Sequence, residues 1–443
     1  MSRAFSLSAI KGITLGFAII IFTGSILLTL PFSHRGTLSY IDALFTAASA
    51  TCVTGLTVVD TYTSFTFFGQ LILLLLMELG GLGFLSIAML IPLLLGRPIG
   101  LATRAYLVEA MGSPQLGGII RVVKRLLLGT FLIQLSGSFL LSIRLIPRFG
   151  FLQGTWISIF TAVSAFCNAG FDLFGAIEPG TSLIHFRCDP LIILPISILI
   201  VIGGLGFILW DDLLQKKFVW RHYRIHTKIV LTMTSLLLLS GTIFFLFSER
   251  NSTLYGLSGA ESFLVAFFQS STARTAGFFS VPQECLSSAG TLFTMILMFI
   301  GASPGSTGGG IKTTTFFALL YSVSGYIRGK DDLNVFTRRL GNSSIDKAHR
   351  MTTAYMLWIV LGAILMTSFT GFTLEQNVFE VISAIGTVGL TKAITSNLNI
   401  PAKLTIVFLM YVGRVGSVSL ATALMEKAIP APTKAPAEDI PIG

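Results

Sequence analysis

The chain of 443 residues is 53% apolar and only 11% charged, with a mean hydropathy of +0.82. A soluble protein carries roughly twice this charged fraction, about 25%. The composition therefore excludes a disordered chain, a small disulfide scaffold and an ordinary cytosolic enzyme, and it indicates an integral membrane protein. The formal net charge of +10 comes from basic residues in the loops between apolar runs. Because these residues do not share one soluble face, they do not indicate a partner nucleic acid.

Eight apolar segments are candidate transmembrane helices, since about 20 apolar residues cross a bilayer. They are residues 12–33, 68–95, 126–143, 190–210, 229–248, 286–327, 351–374 and 404–425. The sixth is unusually long and contains a glycine-rich break. Lysine and arginine are enriched in cytoplasmic loops. Of these residues, 20 lie on the side that carries both termini and 7 on the other, which predicts a multi-pass protein with both termini in the cytoplasm.

An internal repeat is marked by four glycines spaced 107 to 115 residues apart, namely Gly55, Gly170, Gly277 and Gly389. Phenylalanine stands ten residues before each glycine and serine six before, and leucine or phenylalanine follows directly. Each glycine ends a segment, such as 40–56 or 156–171, that is too short to span a bilayer. The sequence therefore predicts an all-α integral membrane fold of four tandem helix–pore-loop–helix repeats around a central pore. The predicted units are residues 1–100, 101–215, 216–330 and 331–443.

Four parallel repeats bring the four loops together as a ring at the axis. Non-helical backbone at membrane depth is tolerated where it is buried in protein or lines a wet cavity, and carbonyl oxygens can replace the hydration shell of a cation. The alternative is four glycines that cap or pack helices, which the shared register disfavours. The predicted selectivity filter consists of the carbonyls of Val53, Thr54, Gly55, Asn168, Ala169, Gly170, Thr275, Ala276, Gly277, Thr387, Val388 and Gly389.

A charge at membrane depth is costly and indicates function. Arg414 stands where the other repeats have Gly81, Gly204 and Ala302, so we expect it to face the pore below the filter. The break at 303–315 lies at the same depth and offers hydrogen-bond acceptors to Arg414. The predicted gate consists of Ser303, Gly305, Ser306, Thr307, Gly308, Gly309, Gly310, Lys312 and Arg414. The alternative is a glycine-rich kink that packs a helix, with Arg414 bonded to buried carbonyls.

The break also resembles a phosphate-binding loop. Such a loop needs adjacent glycine and lysine after a strand, whereas Ile311 separates Gly310 from Lys312 here. The context is a membrane helix, so a nucleotide site in this chain is excluded.

Three further ionisable residues lie at membrane depth. Glu78 precedes Gly80 by two residues, and its role as a cation attractor, a partner for a buried charge or a proton-coupling carboxylate stays open. Arg274 lies in the third loop, where we expect it to brace the filter from behind, because a cation facing the axis would block the pore. Glu380 on the fourth pore helix is its candidate partner.

Taken together, the four glycine-centred loops, eight spans, broken sixth span and arginine in the eighth resemble the Trk/Ktr/HKT superfamily of cation transporters. The short N-terminus is most similar to that of the Ktr B subunits. The resemblance covers nearly the whole chain. It implies K⁺ uptake down the electrochemical gradient, often stimulated by Na⁺, with the filter glycines and gate residues in the positions given above. Related transporters that prefer Na⁺ have serine at the first filter glycine, so Gly55 favours K⁺.

The resemblance also implies partners. Members form homodimers, and a cytosolic ring of nucleotide-binding regulatory subunits, which is octameric, docks on the inner face and binds ATP or ADP. This chain is expected to hold no cofactor beyond transported K⁺ and Na⁺. The basic loops 216–228 and 328–350 are candidate docking surfaces, although the headgroups of anionic membrane lipids explain them equally well.

Three other functions are weaker alternatives. A Na⁺- or H⁺-coupled secondary transporter of another small solute would use Glu78, but such folds usually have inverted or two-part repeats. A membrane-embedded enzyme is disfavoured because no catalytic constellation is evident. A purely structural subunit of an ion-pump complex would show no ion flux of its own.

Overall fold

The computed structural model describes residues 3–83, 119–216, 219–329, 334–336 and 338–416. Within these ranges the chain forms fifteen α-helices: α1 Arg3–Leu28, α2 Tyr40–Thr51, α3 Thr61–Ser64, α4 Phe67–Leu82, α5 Ile119–Phe149, α6 Phe151–Cys167, α7 Pro190–Gly204, α8 Phe207–Lys216, α9 Ile225–Ser248, α10 Gly259–Thr272, α11 Ser288–Phe299, α12 Thr313–Ile327, α13 Asn342–Phe369, α14 Leu374–Gly386 and α15 Ile400–Val415. Short 3₁₀ turns occupy Phe174–Ala176, Ile184–Phe186, Trp220–His222, Gln283–Cys285 and Thr395–Asn397. A small antiparallel hairpin, β1 Asn334–Val335 with β2 Arg338–Arg339, is an exception to the all-α prediction.

A pattern of three helices recurs four times along the chain. A long helix (α1, α5, α9, α13) is followed by a short helix with many buried residues (α2, α6, α10, α14) and then by a third helix (α4, α7, α11, α15). Side-chain caps fix where three of the short helices begin. Ser39 accepts a hydrogen bond from Asp42 at the start of α2, and Ser258 and Thr373 form capping boxes at the starts of α10 and α14. Such caps satisfy the free N–H groups of the first helical turn.

The four units close into a cycle. The third helix of each unit packs against the short helix of the next: α4 against α6, α7 against α10, α11 against α14, and α15 back against α2. The phenylalanines ten residues before three of the marker glycines, Phe45, Phe160 and Phe379, are fully buried in this packing. The cycle therefore directs the C-terminal ends of the four short helices, and the loops that follow them, toward one another.

Within the part of the chain that the structure describes, four helices are long and apolar enough to cross a membrane, over Lys11–Leu28, Val123–Phe149, Ile225–Ser248 and Asn342–Phe369. They coincide with the first, third, fifth and seventh predicted spans. The pair α7 and α8 meets the same criterion jointly, whereas α4 and α11 are shorter apolar helices. Residues 84–95 of the second predicted span and residues 417–425 of the eighth lie outside the described residues. The apolar helices agree with an integral membrane protein.

The fourth predicted span, residues 190–210, is not one straight helix. The axes of α7 and α8 differ by 92° across Leu205 and Gly206. Other parts of the chain replace the hydrogen bonds that a continuous helix would make: the Gly204 carbonyl accepts from Ser303 N–H at 3.0 Å, and Phe207 N–H donates to Gly305 at 2.8 Å. Gly206 has a φ of 92°, which side chains rarely tolerate. The bend is therefore made by residues that the local apolar pattern does not reveal.

The sixth predicted span is broken, as the sequence indicates. Helix α11 ends at Phe299 and α12 begins at Thr313. A parallel bridge between Ile300 and Ile311 closes the base of the intervening stretch. We call residues 303–310 the crossing segment.

Candidate functional site

The four loops share an unusual backbone conformation. The residue two positions before each marker glycine has a positive φ: 52° for Val53, 58° for Asn168, 70° for Thr275 and 50° for Thr387. The glycines also have positive φ, at 94°, 70°, 81° and 95° in chain order, whereas the residue between does not. Positive φ is strongly disfavoured for β-branched side chains and costs about 1–3 kcal/mol per residue. Asparagine adopts this conformation more readily than other residues, so the strain falls on Val53, Thr275 and Thr387, and its recurrence in three of the four loops indicates a functional constraint rather than independent turns.

The four glycines meet as a ring, which we call the glycine ring. Each glycine packs against the carbonyl oxygen that precedes the next glycine in chain order. A Cβ atom added at Gly55, Gly170 or Gly277 would lie 2.7, 2.8 and 2.8 Å from the oxygens of Ala169, Ala276 and Val388, respectively. One added at Gly389 would strike the oxygen of Thr54 and close the cycle. No side chain fits at these positions, and one backbone carbonyl of each loop packs against the glycine of a neighbouring loop.

In the first and fourth loops, the recurring serine bonds to the backbone of the marker glycine. The Ser49 hydroxyl accepts a hydrogen bond from Gly55 N–H, and the Ser383 hydroxyl accepts one from Gly389 N–H, both at 3.1 Å. In the third loop the neighbouring Thr272 hydroxyl instead donates to the Phe278 carbonyl. The short helices therefore hold the loops from behind, but they do so with different bonds in different repeats.

One side of the glycine ring opens into a cavity of about 370 Å³, which we call the outer cavity. All four glycines line it, and the ionisable side chains among the described lining residues are all acidic: Asp60, Asp172 and Glu284. Burial raises the pKa of the Asp172 carboxyl from its ordinary value to about 6, and the charge of Asp60 adds to the rise. A concave acidic surface concentrates cations near its floor.

The crossing segment lies on the other side of the glycine ring. Gly309 N–H donates to the Thr387 hydroxyl at 3.0 Å, and a Cβ at Gly308 would collide with the Thr275 hydroxyl. The Thr307 hydroxyl donates to the carbonyl of Phe166, at the end of α6, at 3.2 Å. The segment therefore contacts the undersides of the second, third and fourth loops.

Two half-buried cations hold the crossing segment in place. Arg414 donates to the Thr307 carbonyl, and it also donates to the Gly80 and Gly81 carbonyls at the end of α4. A hydrogen bond between Arg414 and the broken span is therefore present, and it fits both the predicted gate and the alternative in which Arg414 is bonded to buried carbonyls. The Lys312 ammonium donates to the next two carbonyls, those of Gly308 and Gly309, at 2.6 and 3.3 Å. Hydrogen bonds from charged donors are about twice as strong as neutral ones. The bonds from Arg414 and Lys312 therefore stabilise the crossing segment in its position below the glycine ring.

Among the other charges at membrane depth, one sequence prediction is wrong. Glu380 does not pair with Arg274, because its carboxyl accepts hydrogen bonds from Thr391 and Thr395. Arg274 is buried in a small cavity with Thr234 and Ser271, behind the third loop. This location agrees with bracing from behind.

The carboxyl of Glu78 accepts a hydrogen bond from the Gln134 amide at 2.5 Å. Gln134 lies on α5, in the second repeat, so Glu78 joins the first repeat to the second. Neither the acidic outer cavity nor the two bonds of Lys312 was predicted from the sequence. The three acids were separated by up to 224 residues, and only the cyclic packing brings them together.

Comparisons with known proteins show the family of the chain. The family model described as TrkH, cation transport protein, matches residues 12–432. The potassium/sodium uptake protein NtpJ of Enterococcus hirae is 41% identical, covering 99% of this chain and 98% of its own length. The Ktr system potassium uptake protein B of Bacillus subtilis is 41% identical over 91% of this chain and 90% of its own. The crystal structure of the potassium transporter TrkH from Vibrio parahaemolyticus has the same fold, with a TM-score of 0.71, 19% identity, and coverage of 93% of this chain and 83% of that one. The chain belongs to the TrkH family of cation transport proteins.

Proposed function

We propose that the chain takes up K⁺ across the cytoplasmic membrane through the glycine ring. The single observation that carries the proposal is the ring itself, in which each glycine packs against a backbone carbonyl of the next loop. Carbonyl oxygens gathered in this way can replace the water around a dehydrated cation. The filter then comprises the marker glycines and the two residues before each of them. The relatives are named as a Ktr system potassium uptake protein and a potassium/sodium uptake protein. These names support K⁺ as the transported ion, with Na⁺ as a second transported ion.

The route begins in the outer cavity. Its acidic lining raises the local concentration of cations, and the glycine ring forms its floor. An ion that sheds its water at the ring is drawn inward by a negative cell interior, which supplies about 2.3 kcal/mol per elementary charge per 100 mV. No chemical step and no cofactor in this chain is required for such transport.

The crossing segment acts as the gate in this proposal. It lies directly below the loops, and Arg414 and Lys312 place two positive charges beside it. A fixed positive charge at that depth raises the barrier for a cation, so the segment and both side chains must move, or be neutralised, for rapid flow. A partner that binds the open state better than the closed one would shift this balance.

The proposal extends to the architecture. Eight spans, four re-entrant pore helices and cytoplasmic termini are supported by the four recurring helix triplets and by the loop charges. A homodimer, stimulation by Na⁺ and a cytosolic ring that binds ATP or ADP follow from the family resemblance. The basic loops 216–228 and 328–350 are the surfaces at which we expect this regulator.

The test is uptake of ⁸⁶Rb⁺ by proteoliposomes that contain only the purified chain, with the interior held negative, with and without Na⁺. We expect uptake that is competed by K⁺ and that rises with the imposed potential. Uptake that requires a proton or Na⁺ gradient even when the potential is held would favour a coupled transporter that uses Glu78. Absence of uptake by folded protein, both alone and with the regulatory ring of a Ktr system, would contradict the proposal.

A further inference from the structure

A buried carboxyl lies behind the fourth loop. Glu380, on α14, stands nine residues before Gly389 and is 0% exposed. The other three repeats have Thr46, Thr161 and Phe268 at the corresponding position. The fourth repeat alone therefore places an acid against the back of its own loop, and the mechanism described above does not use it.

The carboxyl of Glu380 holds the stretch that follows Gly389. Its Oε2 accepts a hydrogen bond from Thr391 Oγ1 at 2.8 Å, and its Oε1 accepts one from Thr395 Oγ1. The two threonine hydroxyls are also 2.9 Å apart. Both threonines line the outer cavity, and Thr391 is two residues beyond the glycine. The fourth loop is thus tied to α14 on both sides, by Ser383 at Gly389 and by Glu380 beyond it.

The protonation state of Glu380 follows from counting hydrogens. The contacts among Glu380, Thr391 and Thr395 form a closed ring of three hydrogen bonds, which requires three hydrogens. The two hydroxyls supply two and a carboxylic acid proton supplies the third, so in this ring the acid donates one of its two bonds to the threonines and accepts the other. The nearby ammonium of Lys392 is paired with Glu375, and an ionised carboxylate buried without a cation is costly. The uncharged acid fits the site.

We propose that uncharged Glu380 is a positioning residue that keeps the Val388 carbonyl in the glycine ring and thereby sets the preference for K⁺ over Na⁺. The Val388 oxygen is the one against which Gly277 packs. Greater mobility of the residues after Gly389 would therefore displace this oxygen and widen the glycine ring beside Gly277. A wider or less regular set of oxygens no longer matches one cation, and discrimination falls. The inference rests on the proposed function of the ring as a filter.

The experiment measures Na⁺ and Rb⁺ uptake in parallel, with ²²Na⁺ and ⁸⁶Rb⁺, by proteoliposomes that contain each variant at matched protein content. Glu380→Leu removes both bonds to the carboxyl, whereas Glu380→Gln keeps one donor and one acceptor in a neutral side chain. We expect Glu380→Leu to raise the Na⁺/Rb⁺ ratio roughly two- to tenfold, the change that one lost hydrogen bond produces. We expect Glu380→Gln to retain the wild-type ratio.

A second variant and a control distinguish a positioning role of Glu380 from an effect on folding. Thr391→Val leaves the carboxyl in place and opens the same ring of bonds, so it should raise the ratio even if Glu380→Leu does not fold. Glu249 is a matched buried acid, 1% exposed, that holds Ser287 at the start of α11 and does not line the outer cavity. Glu249→Gln should change the amount of folded protein without changing the ratio.

An unchanged ratio in folded Glu380→Leu or in Thr391→Val would overturn the inference. Equal effects of Glu380→Gln and Glu380→Leu would overturn the assignment of the uncharged form. Wild-type protein without K⁺-competed Rb⁺ uptake would instead contradict the proposed function itself.

Discussion

Replacement of Arg414 by alanine tests the gate. In the structure this side chain donates to the Thr307 carbonyl of the crossing segment and is anchored by the Gly80 and Gly81 carbonyls. Only the bond to Thr307 must break when the segment moves, because the other two join Arg414 to α4. Hydrogen bonds that involve a charged group contribute about 1.5–3 kcal/mol. Loss of this one bond therefore shifts the balance between closed and open states by roughly 10- to 100-fold toward open.

The assay is ⁸⁶Rb⁺ uptake at fixed potential by the purified variant without a regulatory partner. We expect the initial rate of Arg414→Ala to rise toward the rate of fully open protein, and Arg414→Lys, which retains charge but has fewer donors, to be intermediate. Deletion of 308–310 should also raise the rate. Arg144→Ala is the control, because Arg144 forms an exposed ion pair with Asp189 and exposed pairs contribute little. A lower or unchanged rate in folded Arg414→Ala would refute the gate.

Three further outcomes are expected. Gly55→Ser should raise Na⁺ uptake relative to Rb⁺ uptake, since a side chain there meets the Ala169 oxygen. The control is Gly36→Ser, because Gly36 has a φ of 73° and open space around it. Equal Na⁺/Rb⁺ uptake ratios in the two variants would remove Gly55 from the filter. Uptake at limiting Rb⁺ should increase, by up to about fivefold, as external pH rises through the raised Asp172 pKa of about 6, because the carboxyl is neutral below that pH and negative above it. Asp172→Asn should abolish this step, and persistence of the step would assign it to another group. Glu78→Gln should retain uptake driven by the potential, whereas loss of that uptake with normal folding would favour a coupling carboxylate.

The four-part architecture was accessible from the sequence because glycine, serine and phenylalanine recur at fixed positions. Gly55 and its three counterparts form the ring in the structure. The strained residue two positions earlier was not accessible, because valine, asparagine and threonine occupy that position and share no propensity for positive φ. Repetition shows where a constraint lies, but not which backbone angles satisfy it.

Contacts between distant segments account for what the sequence could not indicate. The bend between α7 and α8 depends on Ser303 and Gly305, about 100 residues downstream. Glu380 was noticed as a buried acid but was given the wrong partner, since an arginine is the expected neighbour of such a group. The actual partners, Thr391 and Thr395, follow it by 11 and 15 residues and are brought back by the turn at the glycine.

The central claim is that the ion path passes through the glycine ring. Crystals of the protein grown in Rb⁺ or Tl⁺ permit anomalous diffraction to locate these ions directly. We expect anomalous density on the axis of the ring, surrounded by the carbonyls of Thr54, Ala169, Ala276 and Val388, and its loss when Na⁺ replaces the heavier ion. Density that occurs only elsewhere in the membrane, for example beside Glu78, would contradict the claim.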